Sequence, residues 1–157
     1  MIIHGRSFRE HVNLLWPLLS LIAAVWVLRM VLGFVGVPRW FLHWTSVTLA
    51  TALAIFLVAL LIYARRFGGY TNVVFSVFVL AVWEQLLIAA AVAFAAVTGT
   101  HNIYSAPEFS PLGGPLQHII GHLTIGIGFQ TLFGSAMGCG LYFLVSRIMP
   151  TPSAPKA

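Results

Sequence analysis

The chain has 157 residues, of which 60% are hydrophobic and only 7% charged. A soluble globular domain carries about 25% charged residues, so this composition excludes a water-soluble fold and predicts a membrane protein. The formal net charge of +5 comes from basic residues spread singly and in one pair. That distribution excludes a nucleic-acid-binding surface, and membrane lipids with anionic headgroups are the expected partners.

Four apolar segments, taken in chain order, predict four transmembrane helices. They cover about 13–37, 41–63, 70–97 and 117–148, and each is long enough to cross a hydrocarbon core of about 30 Å. A helix satisfies its own backbone hydrogen bonds in lipid, and no barrel-like alternation is present. We therefore predict an all-α, integral membrane four-helix bundle that forms a single domain over residues 1–157.

The basic residues predict the orientation of these helices. One side carries six of them and the other side only Arg39. Because cytoplasmic loops are enriched in Lys and Arg, both termini are expected in the cytoplasm, and a bacterial inner (plasma) membrane is the expected location. The six residues on the cytoplasmic side are Arg6, Arg9, Arg65, Arg66, Arg147 and Lys156.

The third connection, about residues 99–116, is then extracytoplasmic and carries His101, Tyr104 and Glu108. It is long for a helix bundle, in which connections usually take two to eight residues. Three prolines restrict it, and Gly113-Gly114 permits a sharp bend. A lid over the end of the bundle is one interpretation, and a plain solvated loop is the other.

Histidines gather at this extracytoplasmic side and indicate a candidate metal site. His118 and His122 are four residues apart, so their rings share one face of the fourth segment. This spacing allows two imidazoles to bind one metal ion, but a site needs at least a third ligand. His101, Glu108 and His43 are the candidates for it. Such a donor set suits zinc, iron or manganese.

Three alternatives remain open for these groups. Some of them could have a binding or catalytic role without a metal. Histidine is common near membrane interfaces, so the five side chains could be scattered around the end of the bundle without forming a site. A haem with two imidazole ligands is the third alternative. Such a haem would be bound non-covalently, because the chain has no c-type attachment motif.

Polar residues inside the apolar segments predict a buried pocket. Arg29 and Glu84 are costly at membrane depth, and such residues normally face the bundle interior and find a partner there. We expect them to pair with each other, with Gln85 and Gln130 at a similar depth. Arg29 has an alternative, to extend towards Glu108 or towards lipid phosphates. The pocket could bind a quinone or a lipid headgroup, relay protons, or only fix the register of the helices.

Glycines continue the histidine series along the fourth segment. Gly126, Gly134 and Gly138 follow His122 at intervals of four or eight residues, and Gly134 with Gly138 forms a GxxxG step. Small residues at this spacing let helices approach closely. The neighbour is expected to be a helix of the same chain, with a second copy in a homo-oligomer as the alternative.

Function is less constrained than architecture. The chain has no aspartate, no nucleotide-binding loop and no GxSxG or CxxC motif. The leading hypothesis is a membrane protein with a ligand or transition-metal site on its extracytoplasmic side, acting on a lipid-like or quinone substrate. If the protein is an enzyme, the expected chemistry is metal-assisted hydrolysis or a redox reaction. The alternatives are a non-enzymatic accessory subunit of a larger membrane complex and an oligomeric transporter or channel.

Overall fold

The computed structural model of the chain describes residues 2–100, 102–105 and 114–149. Within these ranges a short hairpin precedes six α-helices, and a π-helical turn joins the last two helices. The elements in chain order are β1 (Ile2–Ile3), β2 (Arg6–Ser7), α1 (Phe8–Phe34), α2 (Arg39–Trp44), α3 (Val47–Ala64), α4 (Tyr70–Thr98), α5 (Pro115–Gly121), the π-helical turn (His122–Gly126) and α6 (Ile127–Ile148).

Four helical segments are long and apolar enough to cross a membrane, which confirms the predicted four-helix, all-α architecture. They are Phe8–Phe34, Trp40–Ala64, Tyr70–Thr98 and Pro115–Ile148. The antiparallel hairpin pairs Ile2 with Ser7 and is the only β structure among the described residues. Four such segments indicate a membrane protein.

The first helix begins five residues before the predicted start because the preceding sequence forms a capping box. The Ser7 hydroxyl accepts a hydrogen bond from the Glu10 amide at 3.2 Å, and the Glu10 carboxylate accepts one from the Ser7 amide at 2.7 Å. This reciprocal pair satisfies two backbone donors at the helix N-terminus. The helix ends at Phe34, shortly before Gly36, whose φ of +78° places it outside the helical region.

The second predicted segment is divided into two helices. The short helix α2 contains His43 and ends at Trp44, and α3 begins at Val47. The Thr45 hydroxyl donates to the Leu42 carbonyl at 3.2 Å, and Ser46 is extended with ψ of 130°. Hydroxyl side chains compete with helical backbone hydrogen bonds, which accounts for a break that hydrophobicity alone did not indicate.

Helix α4 lies at the centre and contacts α1, α3, α5 and α6. Two glycines of α6, Gly134 and Gly138, pack onto α3 and α4 of the same chain. A Cβ atom on Gly134 would lie 2.8 Å from Ile55 Cδ1 and 2.9 Å from Val77 Cγ1, and one on Gly138 would lie 3.1 Å from Val73 Cγ1. Glycine at these two positions lets α6 approach at a distance that a larger residue prevents.

Candidate functional site

A polar cavity of about 330 Å³ lies at the end of the bundle where α1 finishes and α5 begins. We call it the polar cavity. Its volume is at the lower end of the range for ligand pockets, about 300–1,000 Å³. Every helical element except α6 contributes to its wall, and none of the described residues that line it carries a carboxylate. These residues are Arg29, His43, Ser46, Thr48, Ile88, Ile103, Tyr104, His118 and His122.

The π-helical turn begins at one of the two paired histidines. His122 is its first residue and Gly126 its last. Single π turns inside α-helices occur frequently at functional sites. The rings of His118 and His122 are stacked with centroids 4.8 Å apart, and their Nε2 atoms are only 3.0 Å apart. The two rings therefore converge at their Nε2 atoms beside the polar cavity.

A chain of hydrogen bonds connects this pair to the interior of the bundle. His122 Nδ1 lies 2.6 Å from Gln85 Oε1, and Gln85 Nε2 donates to Gln130 Oε1 at 2.7 Å. Gln130 Nε2 donates in turn to Glu84. Gln85 and Glu84 are buried in α4, so the chain joins α4 to α6. We call the set His118, His122, Gln85, Gln130 and Glu84 the polar chain.

The direction of the polar chain follows from its inner end. Gln130 turns its amino group towards Glu84 and its oxygen towards Gln85. In the same way Gln85 turns its oxygen towards His122, which must therefore carry its proton on Nδ1. His122 Nε2 is then the acceptor end of a neutral imidazole. The polar chain thus fixes the tautomer of His122, although two glutamine side chains separate His122 from Glu84.

Glu84 has two donors, and neither is the arginine that the sequence predicts. Its other oxygen accepts from the Thr48 hydroxyl at 2.8 Å. The predicted ion pair between Arg29 and Glu84 is wrong. Arg6–Glu10, at 3.0 Å, is the only salt bridge among the described residues. The hydrogen bonds of Glu84 come instead from the Thr48 hydroxyl and the Gln130 amide.

Arg29 instead lies against the loop that follows α4. Its guanidinium carbon is 5.3 Å from the centroid of the Tyr104 ring, a cation–π geometry. The Arg29 Nε and the Tyr104 hydroxyl are both buried and have no hydrogen-bond partner among the described residues. Burial raises the pKa of the Tyr104 phenol, so the hydroxyl stays protonated and available as a donor.

Asn102 holds this part of the loop in place. Its side-chain amide donates to the Ala91 carbonyl at 2.8 Å, and its oxygen accepts from the backbone amides of Tyr104 and Ser105 at 2.9 and 3.1 Å. Asn102 and Tyr104 are only 8% and 7% exposed. Residues 102–105 are therefore packed onto the bundle.

An apolar groove of about 300 Å³ adjoins the polar cavity. Thr48 and His122 belong to the walls of both, so the two spaces meet at these residues. Phe129, Phe133 and Met137 form the α6 wall and are themselves 62%, 52% and 42% exposed on the outside of the bundle. The groove therefore opens sideways, towards the surroundings of the helices. Its remaining residues are Ala52, Ile55, Gln85, Gly126, Gln130 and Gly134.

The predicted metal ligands are only partly brought together. His43 lines the polar cavity with His118 and His122, whereas His101 and Glu108 lie outside the described residues. Within the described ranges no group of three or more His, Cys, Asp or Glu side chains is placed to hold a metal ion. The geometry thus provides two convergent imidazoles and no complete ligand set among those residues.

One buried histidine lies at the opposite end of the bundle, and the sequence reasoning missed it. His11 is fully buried in α1, with Nδ1 3.0 Å from the Ser7 carbonyl and Nε2 3.0 Å from Asn72 Oδ1. Its ring meets those of Phe67 and Phe75 edge to face, with centroids 4.9 Å away in each case. The helical spacing of Ser7 and His11 was the available signal.

Comparison with known proteins gives no functional assignment. No family model matches the chain, and neither a curated protein nor a solved structure is significantly similar to it. Function must therefore be argued from the site itself.

Proposed function

We propose that this protein binds an amphiphilic membrane ligand, either lipid-like or a quinone, at the extracytoplasmic side of the membrane. The polar head occupies the polar cavity and the hydrocarbon chain lies in the apolar groove. The observation that carries this proposal is that the two spaces meet at Thr48 and His122.

The chemistry of the two walls supports this division. The polar cavity presents donors from Arg29 and Tyr104, whereas the groove is lined mainly by aliphatic and aromatic side chains. Ligand sites typically combine such an apolar wall with a few polar groups that fix orientation. Because the groove opens sideways between α3 and α6, a ligand that is already dissolved in the bilayer enters without crossing water.

A photoreactive amphiphile tests this proposal. A single-chain lipid with a diazirine in its chain, incorporated into vesicles with the purified protein, should label the stretch 127–139 selectively. Ala52→Trp, which fills the groove, should remove this labelling, because residue 52 lies on its α3 wall. Leu53→Trp is the matched control, since Leu53 is 52% exposed and does not line the groove. Labelling that is even over all four helices would refute the proposal.

A transition metal held by His118 and His122 is a second candidate, favoured by one distance. Two imidazole nitrogens on a tetrahedral zinc ion, each about 2.0–2.1 Å from the metal, are about 3.3 Å apart, and these Nε2 atoms are 3.0 Å apart. The Nδ1–H of His122 also has a carbonyl partner, as metal-bound histidines usually do. The remaining ligands would come from His43, His101, Glu108 or the head of the amphiphile.

Metal analysis separates this candidate from amphiphile binding alone. Protein purified under zinc-, iron- or manganese-replete conditions should hold about one ion per chain, and His118→Ala with His122→Ala should lose it. Metal-free wild-type protein that still labels in the groove would reject the metal and leave the amphiphile site standing.

A further inference from the structure

Arg29 is a cation inside an apolar segment, and it has no counter-ion among the described residues. Its contact with the Tyr104 ring covers one side of the guanidinium, and its Nε is buried without a hydrogen-bond partner. Glu84, the one buried carboxylate of the described bundle, already accepts from Thr48 and Gln130. A membrane-buried arginine normally has a partner of opposite charge or a row of acceptors.

The other unpartnered group around the polar cavity is also a donor. The Tyr104 hydroxyl has no hydrogen-bond partner among the described residues, although the residue is 7% exposed and lines the polar cavity. The lining residues also include the Ser46 hydroxyl and three imidazoles, and no carboxylate is found among those described. The missing component is therefore a group that brings several acceptor oxygens and a negative charge.

We propose that the head of the bound amphiphile is an anion, a phosphate or a carboxylate, and that Arg29 and Tyr104 bind it. This inference rests on the proposed function and narrows it. A guanidinium binds such oxygens through two parallel N–H donors, and a phenol adds a third donor at low conformational cost. A quinone carbonyl would satisfy hydrogen bonds but would leave the arginine charge without a counter-ion.

Three probes that share one diazirine-bearing alkyl chain test the class of head: an alkyl phosphate, an alkyl carboxylate and an alkyl benzoquinone. We expect the two anionic probes to half-saturate groove labelling at a concentration at least tenfold below that of the quinone. Arg29→Gln should reduce this preference to within about twofold, and Arg29→Lys should retain most of it. Tyr104→Phe, which keeps the ring under the guanidinium, should weaken phosphate binding about threefold to tenfold.

The possible failures are distinguishable. Equal labelling by all three probes, unchanged in Arg29→Gln, overturns the anionic head and leaves the amphiphile site intact. Absence of groove labelling by every probe overturns the proposed function itself. If inorganic phosphate competes at the same concentration as the alkyl phosphate, the alkyl chain contributes nothing to binding. The cavity would then be a site for a free anion, and the amphiphile would be overturned as its ligand.

Glu108, which lies outside the described residues, is the competing counter-ion. If it neutralises Arg29 in the resting protein, Glu108→Gln should strengthen binding of the alkyl phosphate, and a tenfold gain would overturn our inference. We expect no more than a twofold change. Tyr104→Phe keeps the test valid if Arg29→Gln fails to fold, because it removes only the hydroxyl donor; unchanged phosphate binding in this variant would contradict the inference.

Discussion

Replacing Gly126 with alanine tests the polar chain directly. A Cβ atom at this position would lie 2.6 Å from Gln85 Oε1 and 2.9 Å from its Cδ, so the Gln85 amide must move. That movement breaks the hydrogen bonds of Gln85 to His122 and to Gln130. The backbone tolerates alanine, because Gly126 has a right-handed helical conformation with φ of −59° and ψ of −51°.

The expected magnitude follows from two opposing contributions. Each lost hydrogen bond costs about 1 kcal/mol, so the two together destabilise the fold by about 2 kcal/mol. Alanine in place of glycine within a helix recovers up to about 1 kcal/mol. Gly128→Ala is the matched control, because it gives the same helix contribution and its Cβ would meet nothing within 4 Å. The difference between the two variants isolates the hydrogen bonds.

The assay is equilibrium unfolding of the protein in mixed detergent micelles, followed by tryptophan fluorescence and helical circular dichroism. Gly126→Ala should have a free energy of unfolding about 2 kcal/mol below that of Gly128→Ala. In a Gln85→Ala background the two variants should become equal, since the atoms that clash are gone. A difference that survives in the Gln85→Ala background would refute our reasoning, because the cost would then have a source other than Gln85.

Substitutions at Gly134, Glu84 and His11 test other parts of the fold by the same unfolding measurement. Gly134→Ala should lower the free energy of unfolding by about 1–3 kcal/mol, since its Cβ would come within 2.8–2.9 Å of α3 and α4 side chains. Gly140→Ala is the control and should not lower it, because the space around Gly140 is open. Equal losses in the two variants would contradict the packing. Glu84→Gln should have a free energy of unfolding within about 1 kcal/mol of wild type, because an amide can accept from Gln130 and donate to the Thr48 hydroxyl. Glu84→Leu should lower it by about 2–4 kcal/mol, because two donors are left unpaired. Equal effects of the two substitutions would argue against those contacts. His11→Ala should cost about 3 kcal/mol, since it removes a fully buried ring with two hydrogen bonds, and wild-type stability would contradict its placement.

Hydrophobicity was sufficient to predict the number of helices because the cost of unpaired backbone groups in lipid leaves few alternatives. It was not sufficient to predict helix ends, which depend on local contacts. The capping box of Ser7 and Glu10 and the break at Thr45 are examples. Side-chain hydrogen bonds determine where both helices begin or end. They have little effect on a hydropathy value that is averaged over about twenty residues.

Three of the four residues of the predicted polar pocket are hydrogen-bonded to one another, and Arg29 is not part of that network. Gln85, Gln130 and Glu84 are linked in one network, since buried polar groups must find partners and few are available. The partner of Arg29 was predicted wrongly, because depth along a helix does not specify which face the side chain takes. Thr48 was overlooked, since a threonine in an apolar segment gives no sequence signal of the carboxylate that it contacts.

The composition of the polar chain bears on what it can do. Proton transfer along hydrogen bonds needs groups that both accept and release a proton near neutral pH, as histidine does. Two glutamine amides separate His122 from Glu84, and an amide has no such titration. This arrangement disfavours a proton relay between the two ends. It favours a fixed arrangement, in which Glu84 and two amides orient His122 so that its Nε2 accepts a hydrogen bond from His118 Nε2, 3.0 Å away, beside the polar cavity.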